Sequence, residues 1–157
     1  MSAKLTLREA REILKRAVEK SEEIDWISTY AVVDEGGNVI SISRVDGAPA
    51  AAAALARSKA YLTAVTGRHT MAFANRMEAH PIRFDGYQSI LARPLFPGPG
   101  AVPIKKDGKV VGGFASSVSS NEGGMQVEVD GTKLSREDIV TAHTLQIPYF
   151  EQHAGIP

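Results

Sequence analysis

Three short clusters in this 157-residue sequence carry side chains able to do chemistry. The first is Arg44 and Asp46, two residues apart in an alternating run that places both on one strand face, together with Ile40 and Ile42. Charges at the edge of an apolar face need partners. Arg44 can receive a carboxylate with Asp46 orienting it, or the two can form a structural ion pair or cap in the Asp46-Gly47 turn. The second cluster is Lys59, with Ser58, Tyr61 and Thr63 close by in sequence. Its amine could line a pocket mouth, but lysine is rarely fully buried without a partner, so the expectation is that Lys59 faces solvent. Tyr61 and Tyr87 read as half-buried aromatics rather than as acids. The third cluster is His69-Thr70-Met71, at the start of a short helix. A lone histidine in such a loop is ordinarily a surface or cap residue. Its chemical alternative is an axial ligand to haem iron, for which one imidazole suffices.

Other chemistries lack their residues. His69, His80, His143 and His153 form no HxH, HExxH or HxxE pattern, which argues against a dedicated zinc site. With no cysteine there is no disulfide, zinc-thiolate site, iron–sulfur cluster or thiol nucleophile. Gly98-Pro99-Gly100 followed by Lys105 fails the spacing of a phosphate loop, and no GxSxG elbow surrounds Ser116, Ser117, Ser119 or Ser120. Eighteen basic and eighteen acidic residues cancel, so no global field draws in nucleic acid or an anionic membrane surface. No apolar stretch approaches the ~20 residues of a membrane span, and the first residues contain no unbroken apolar leader. The expectation is a cytoplasmic protein with no membrane partner.

The elements that must position these residues follow from periodicity. Thr6 and Glu9 form a capping box, and Leu7, Ala10, Ile13, Leu14, Ala17 and Val18 then repeat at helical spacing to about residue 22. The runs STYAVVD and VISISRVD, separated by Glu35-Gly36-Gly37-Asn38, make a β-hairpin. Residues 48–66, with six alanines between Ala48 and Ala54, form a helix slim enough to lie close against a sheet or a neighbouring subunit. Gly67 breaks it, and Thr70 to Glu78 forms a short helix ending before His80-Pro81. Residues 84–93 alternate weakly and 94–100 are loop by composition, so no regular state is assigned there. AVPIKK and KVVGGFASSVSS, joined by Asp107-Gly108, make a second hairpin, with Val111, Gly113, Ala115, Ser117 and Ser119 on one face. Met125, Val127 and Val129 alternate as an extra ribbon, and Ser135 with Asp138 caps a final helix to about residue 153. This order predicts one α+β domain over residues 1–157, a central antiparallel sheet from two hairpins flanked by helices, with an atypical insertion at about 121–134.

The segments AVVDEGGNVISISRVDGA, ALARSKAYLTAVT and AVPIKKDGKVVGGFASSVS together resemble the GlcG/HbpS-like haem-binding or haem-degrading family. Val33 to Ala48 is similar to the family's first hairpin, Lys59 to Ala64 to its helix, Thr70 to its following threonine, and Pro103 to Ser119 to its second hairpin. The match covers residues 5–120. Where the family has Gly-Val-Ser-Gly and soon a Gln-Asp-Glu, this chain has Ser117-Val118-Ser119-Ser120, an insertion through Lys133, and Asp138 as the counterpart acid.

The resemblance implies a profilin-like fold, assembly into homo-oligomers from dimers to octamers, and a small-molecule ligand with haem as the named cofactor. It implies a ligand site framed by Arg44, Asp46, Lys59, Thr63, Thr70, Pro103, Ser117 and Ser119, in which Arg44 or Lys59 pairs with propionates and His69 or Thr70 meets the iron. A second reading, from a different class, is an enzyme: a hydrolase or isomerase of a small anionic carboxylate intermediate in aromatic catabolism. Arg44 would then anchor the carboxylate, and Asp46, Lys59, His69 or Asn121 would supply proton transfer or polarisation.

Overall fold

The computed structural model describes residues 4–117, 126–129, 132–135, 140, 141 and 144. Helix α1 (Leu7–Glu23) begins at the expected capping box: the Thr6 hydroxyl accepts from Glu9 N–H while the Glu9 carboxylate accepts from Thr6 N–H at 2.8 Å. Strands β1 (Thr29–Asp34) and β2 (Val39–Arg44) form the first hairpin, followed by α2 (Ala51–Thr66), α3 (Thr70–Ala79) and α4 (Pro81–Ile90). The second hairpin is β3 (Ala101–Lys106) with β4 (Lys109–Ser117). The two hairpins merge into one antiparallel sheet of order β2-β1-β4-β3, the expected α+β architecture. A separate ribbon pairs β5 (Gln126–Val129) with β6 (Thr132–Ser135), where alternation predicted one. Val140, Thr141 and Thr144 are helical; the rest of the expected last helix, including Asp138, lies outside the described residues.

The two faces of the sheet pack differently because their residues differ in bulk. On one face Tyr30, Val32 and Phe114 meet Ile13, Leu14 and Trp26, and the Tyr30 and Phe114 rings stack at 6.1 Å. On the other, Ala31, Val33, Ala101 and Ala115 meet Ala56, Ala60 and Ala64 of α2. Small side chains bring that helix so close that a Cβ at Gly113 would overlap the Ala60 carbonyl oxygen.

Two expectations are corrected here. The first hairpin carries a bulge between Val32 and Val33, so Ile40 packs on the α1 side while Ile42 packs on the alanine side. Ile40 and Ile42 therefore do not share a face, because a bulge breaks period-2 alternation. The second correction is α4, which starts with Pro81 in its first turn, where the missing N–H costs nothing. No side chain of this helix is fully buried: Phe84 packs half-buried against the cluster of Leu62, Phe73 and Met77, while Ile82 and Ile90 are 87% and 83% exposed, so its apolar residues form no single stripe to read.

One contact joins the start of α1 to the sheet and makes folding sensitive to acid. The Lys106 ammonium lies 2.6 Å from Glu9, and this bond, with those from the Thr6 backbone and hydroxyl, lowers the Glu9 pKa from 4.5 to about 2. A carboxyl depressed in the folded state stabilises the fold above its unfolded pKa and loses that contribution as pH falls through the folded value. Melting temperature is thus expected to fall between pH 4.5 and 2, and Glu9→Gln to flatten that limb of the curve. An identical acid limb in Glu9→Gln would contradict this assignment.

Candidate functional site

Antiparallel register sets the first group of candidate side chains. Thr29 of β1 lies opposite Arg44 of β2 on one side and Ser117 of β4 on the other, one row beyond Ala31, Ile42 and Ala115. The row therefore faces α2. Arg44 is exposed and reaches the Ala48 carbonyl at 3.4 Å, and Asp46 is exposed in the turn before Gly47, whose φ of 90° only glycine adopts readily. Arg44 and Asp46 form no ion pair with each other; Asp46 stands in the turn and Arg44 bonds the backbone just beyond it. Ser117 is buried; its carbonyl accepts from Ser28 Oγ at 2.7 Å, and Ser28 Oγ also meets Ser116 Oγ at 3.0 Å.

The second group converges on the segment that enters β3. Lys59 is 3% exposed, and its ammonium donates to the Pro99 carbonyl at 2.9 Å. The expectation that it faces solvent is therefore corrected: a backbone oxygen 40 residues away provides the partner that burial requires. Thr70 Oγ1 donates to the Ala101 carbonyl at 3.3 Å, and Thr141 Oγ1 to the Gly100 carbonyl at 3.4 Å. Side chains from three helical segments thus hold three successive carbonyls. Pro103 lies half-buried on β3 opposite Gly113, at a sheet edge where a missing N–H is tolerated. Lys59→Ala is expected to lose about 1–3 kcal/mol by leaving the Pro99 carbonyl without this donor. Lys59→Met, which keeps most of the stem packing, should lose less, and urea unfolding of the two variants checks the order.

The third group is built around His69. Gly67 ends α2 in a left-handed conformation, its N–H bonded to the Thr63 carbonyl at 2.9 Å. The Thr63 hydroxyl then turns back to the Arg68 carbonyl at 2.6 Å, while Thr70 on the other side is fixed to β3. His69 itself is half-buried, in extended conformation at the N-cap of α3, and its carbonyl accepts from Phe73 N–H. The imidazole is thereby carried on a loop anchored at both flanking residues, the kind of support a ligand site needs. Arg68, exposed beside it, is a cation that the sequence reading passed over.

The structure disperses the candidates. Arg44 and Asp46 are at the β2 edge, whereas Lys59, Thr70 and the His69 loop are tied to β3, three strand spacings or about 14 Å away. Asn121 and Ser119 lie outside the described residues. No group of three or more His, Asp and Glu side chains suited to a metal ion occurs among the described residues, and no described helix is long and apolar enough to cross a membrane.

A family model described as haem degrading protein HbpS-like matches residues 5–133. The chain belongs to the HbpS-like family. Protein GlcG of Escherichia coli K12 is 27% identical over 109 residues, covering 69% of this chain and 77% of GlcG. Two solved structures share the HbpS-like fold of this chain at low identity. A haem complex of PduOC superposes with a TM-score of 0.71 at 18% identity, over 92% of this chain and 94% of that one. A double mutant of Streptomyces reticuli HbpS superposes with a TM-score of 0.69 at 24% identity, over 92% and 84% of the two chains. These likenesses place the sheet and helices above in the HbpS-like architecture.

The side chains on the His69 loop are chemically compatible with haem. His69 supplies an imidazole, Arg68 a guanidinium, and Val65 and Met71 are accessible apolar groups in the same stretch of chain. Thr70 suits the iron less well, because its buried hydroxyl is already directed at the Ala101 carbonyl. Arg68 could have been found from the sequence: Gly67 closes the helix, so the next residues must leave it together and share one loop.

Proposed function

We propose that this chain is a small-ligand-binding protein whose ligand is haem, with His69 as the iron ligand. The observation that carries this reading is the anchored loop, in which Thr63 fixes Arg68 and Thr70 fixes the strand beyond while the imidazole stays half-exposed. The family match and the haem complex of PduOC support it. Haem when bound would supply an iron centre, and the chain's own part is to hold and orient it. Arg68, adjacent to His69, and Arg44, at the opposite edge of the sheet, are candidate cations for the propionates. Proximity favours Arg68. The same reading makes the chain a homo-oligomer, and Ile82 and Ile90 of α4 are apolar surface that assembly would cover.

The test is a haemin titration of the purified chain followed at the Soret band. Saturation at one haem per chain is expected, with Arg68→Ala weakening affinity about tenfold, as loss of a charged hydrogen bond of about 1.5 kcal/mol implies. Arg44→Ala should leave affinity within about twofold. A non-saturating titration would overturn the reading; a loss on Arg44→Ala alone would move the propionates to β2.

A further inference from the structure

An open groove of about 510 Å³ lies between α1 and the edge strand β2. Its size is that of a small-ligand site. The helix lines it with residues at one-stripe spacing: Arg11 and Lys15, then Leu14 and Val18 as an apolar floor, then Glu19 and Glu22. Ser41 and Ser43 of β2 form the opposite wall.

The order of charge along this stripe is against the helix's own electrostatics. Cations belong near a helix C-terminus and carboxylates near its N-terminus; the first turn of α1 carries Glu9, but the last turn sets Glu22 and Glu23 beside Lys20. The groove stripe therefore runs against this preference at its C-terminal end, where Glu22 lies. It also sets like charges at repulsive spacings, four apart in Arg11 and Lys15 and three apart in Glu19 and Glu22. The one ion pair between the two sets, Lys15 with Glu19, is long at 3.9 Å, and its side chains are 66% and 61% exposed. Among the described residues, the side chains of Arg11 and Glu22 and the half-buried hydroxyls of Ser41 and Ser43 make no hydrogen bond. An arrangement unfavourable to the helix alone becomes favourable when a molecule with two opposite ends lies along it.

We propose that this groove binds a short zwitterionic peptide of about three residues in extended form. Its carboxylate would meet Arg11 and Lys15, its ammonium Glu19 and Glu22, and an apolar side chain the floor of Leu14 and Val18. The lengths agree: the midpoints of the two charged pairs are about 11 Å apart at 1.5 Å per residue, and an extended tripeptide spans about 10 Å. Ser41 and Ser43 offer hydroxyls to its amides, and β2, as an edge strand, has backbone groups outside the sheet ladder for an added strand.

Calorimetric titration of the full chain with the tripeptide Ala-Val-Ala, its N-acetyl form and its C-terminal amide tests this. The free tripeptide is expected to bind one to one, each blocked form at least fivefold more weakly. Arg11→Glu should weaken the free tripeptide at least fivefold, and Glu22→Lys should abolish discrimination against the acetylated form, with unchanged circular dichroism in both variants. Absence of binding, equal affinity for blocked and free peptides, or indifference to both substitutions would overturn the proposal. So would a change in sedimentation on Arg11→Glu without peptide binding, which would assign the groove to a second copy of the chain.

Discussion

Gly113→Val is expected to lower stability by about 3 kcal/mol, seen as a melting temperature roughly 6–12 °C below that of the wild type. The first added carbon already overlaps the Ala60 carbonyl oxygen of α2 and lies 2.8 Å from Thr63 Cγ2. A side chain can rotate away from such a clash, but a helical carbonyl cannot. The helix must instead lift from the sheet, and with it the alanine seam that joins Ala56, Ala60 and Ala64 to Ala31 and Ala115. Because the obstacle is backbone, trimming Thr63 to alanine in the same chain should not restore the melting temperature. A Gly113→Val chain as stable as the wild type would show that α2 does not lie this close.

The neighbouring position fails by the opposite route. Phe114 is fully buried on the other face of β4, stacked on Tyr30 and packed in the cluster with Leu14 and Trp26. Phe114→Ala is expected to cost about 3–5 kcal/mol, the sum of lost transfer energy and the cavity left behind. Phe114→Leu should recover more than half of that, since it refills most of the volume. Urea unfolding distinguishes these outcomes, and a loss under about 1 kcal/mol for Phe114→Ala would mean that the α1 side of the sheet is not the tightly packed layer described. Adjacent residues of one strand thus report on two differently built interfaces, one too tight for a methyl group and one filled by a ring.

Those interfaces were legible in the sequence to different degrees. The capping box at Thr6 and the hairpin turns at Gly36-Gly37 and Asp107-Gly108 are local signals, and each lies where local chemistry puts it. Helix α4 was not legible, because its apolar residues point both inward, as Phe84 does, and to solvent, as Ile82 and Ile90 do, and so show no apolar period. The direction of Lys59 was not legible either, since its partner is the carbonyl of Pro99, brought close only by the tertiary fold. Likewise the bulge that sends Ile40 and Ile42 to opposite sides leaves no mark in an alternating run. At the candidate site, His69 could be singled out by type, but the bond that holds its loop, Thr63 to the Arg68 carbonyl, depends on Gly67 ending α2 in a left-handed turn. Sequence could name the imidazole; only the fold shows what braces it.

That brace is the centre of the account, and haemin titration of His69→Ala beside the wild type tests it most directly. The account predicts a saturable Soret shift at one haem per chain in the wild type, and in His69→Ala a changed band position with affinity at least tenfold lower. A Soret band and affinity unchanged by the substitution would contradict it, and would mean that the imidazole on the anchored loop does not ligate the iron.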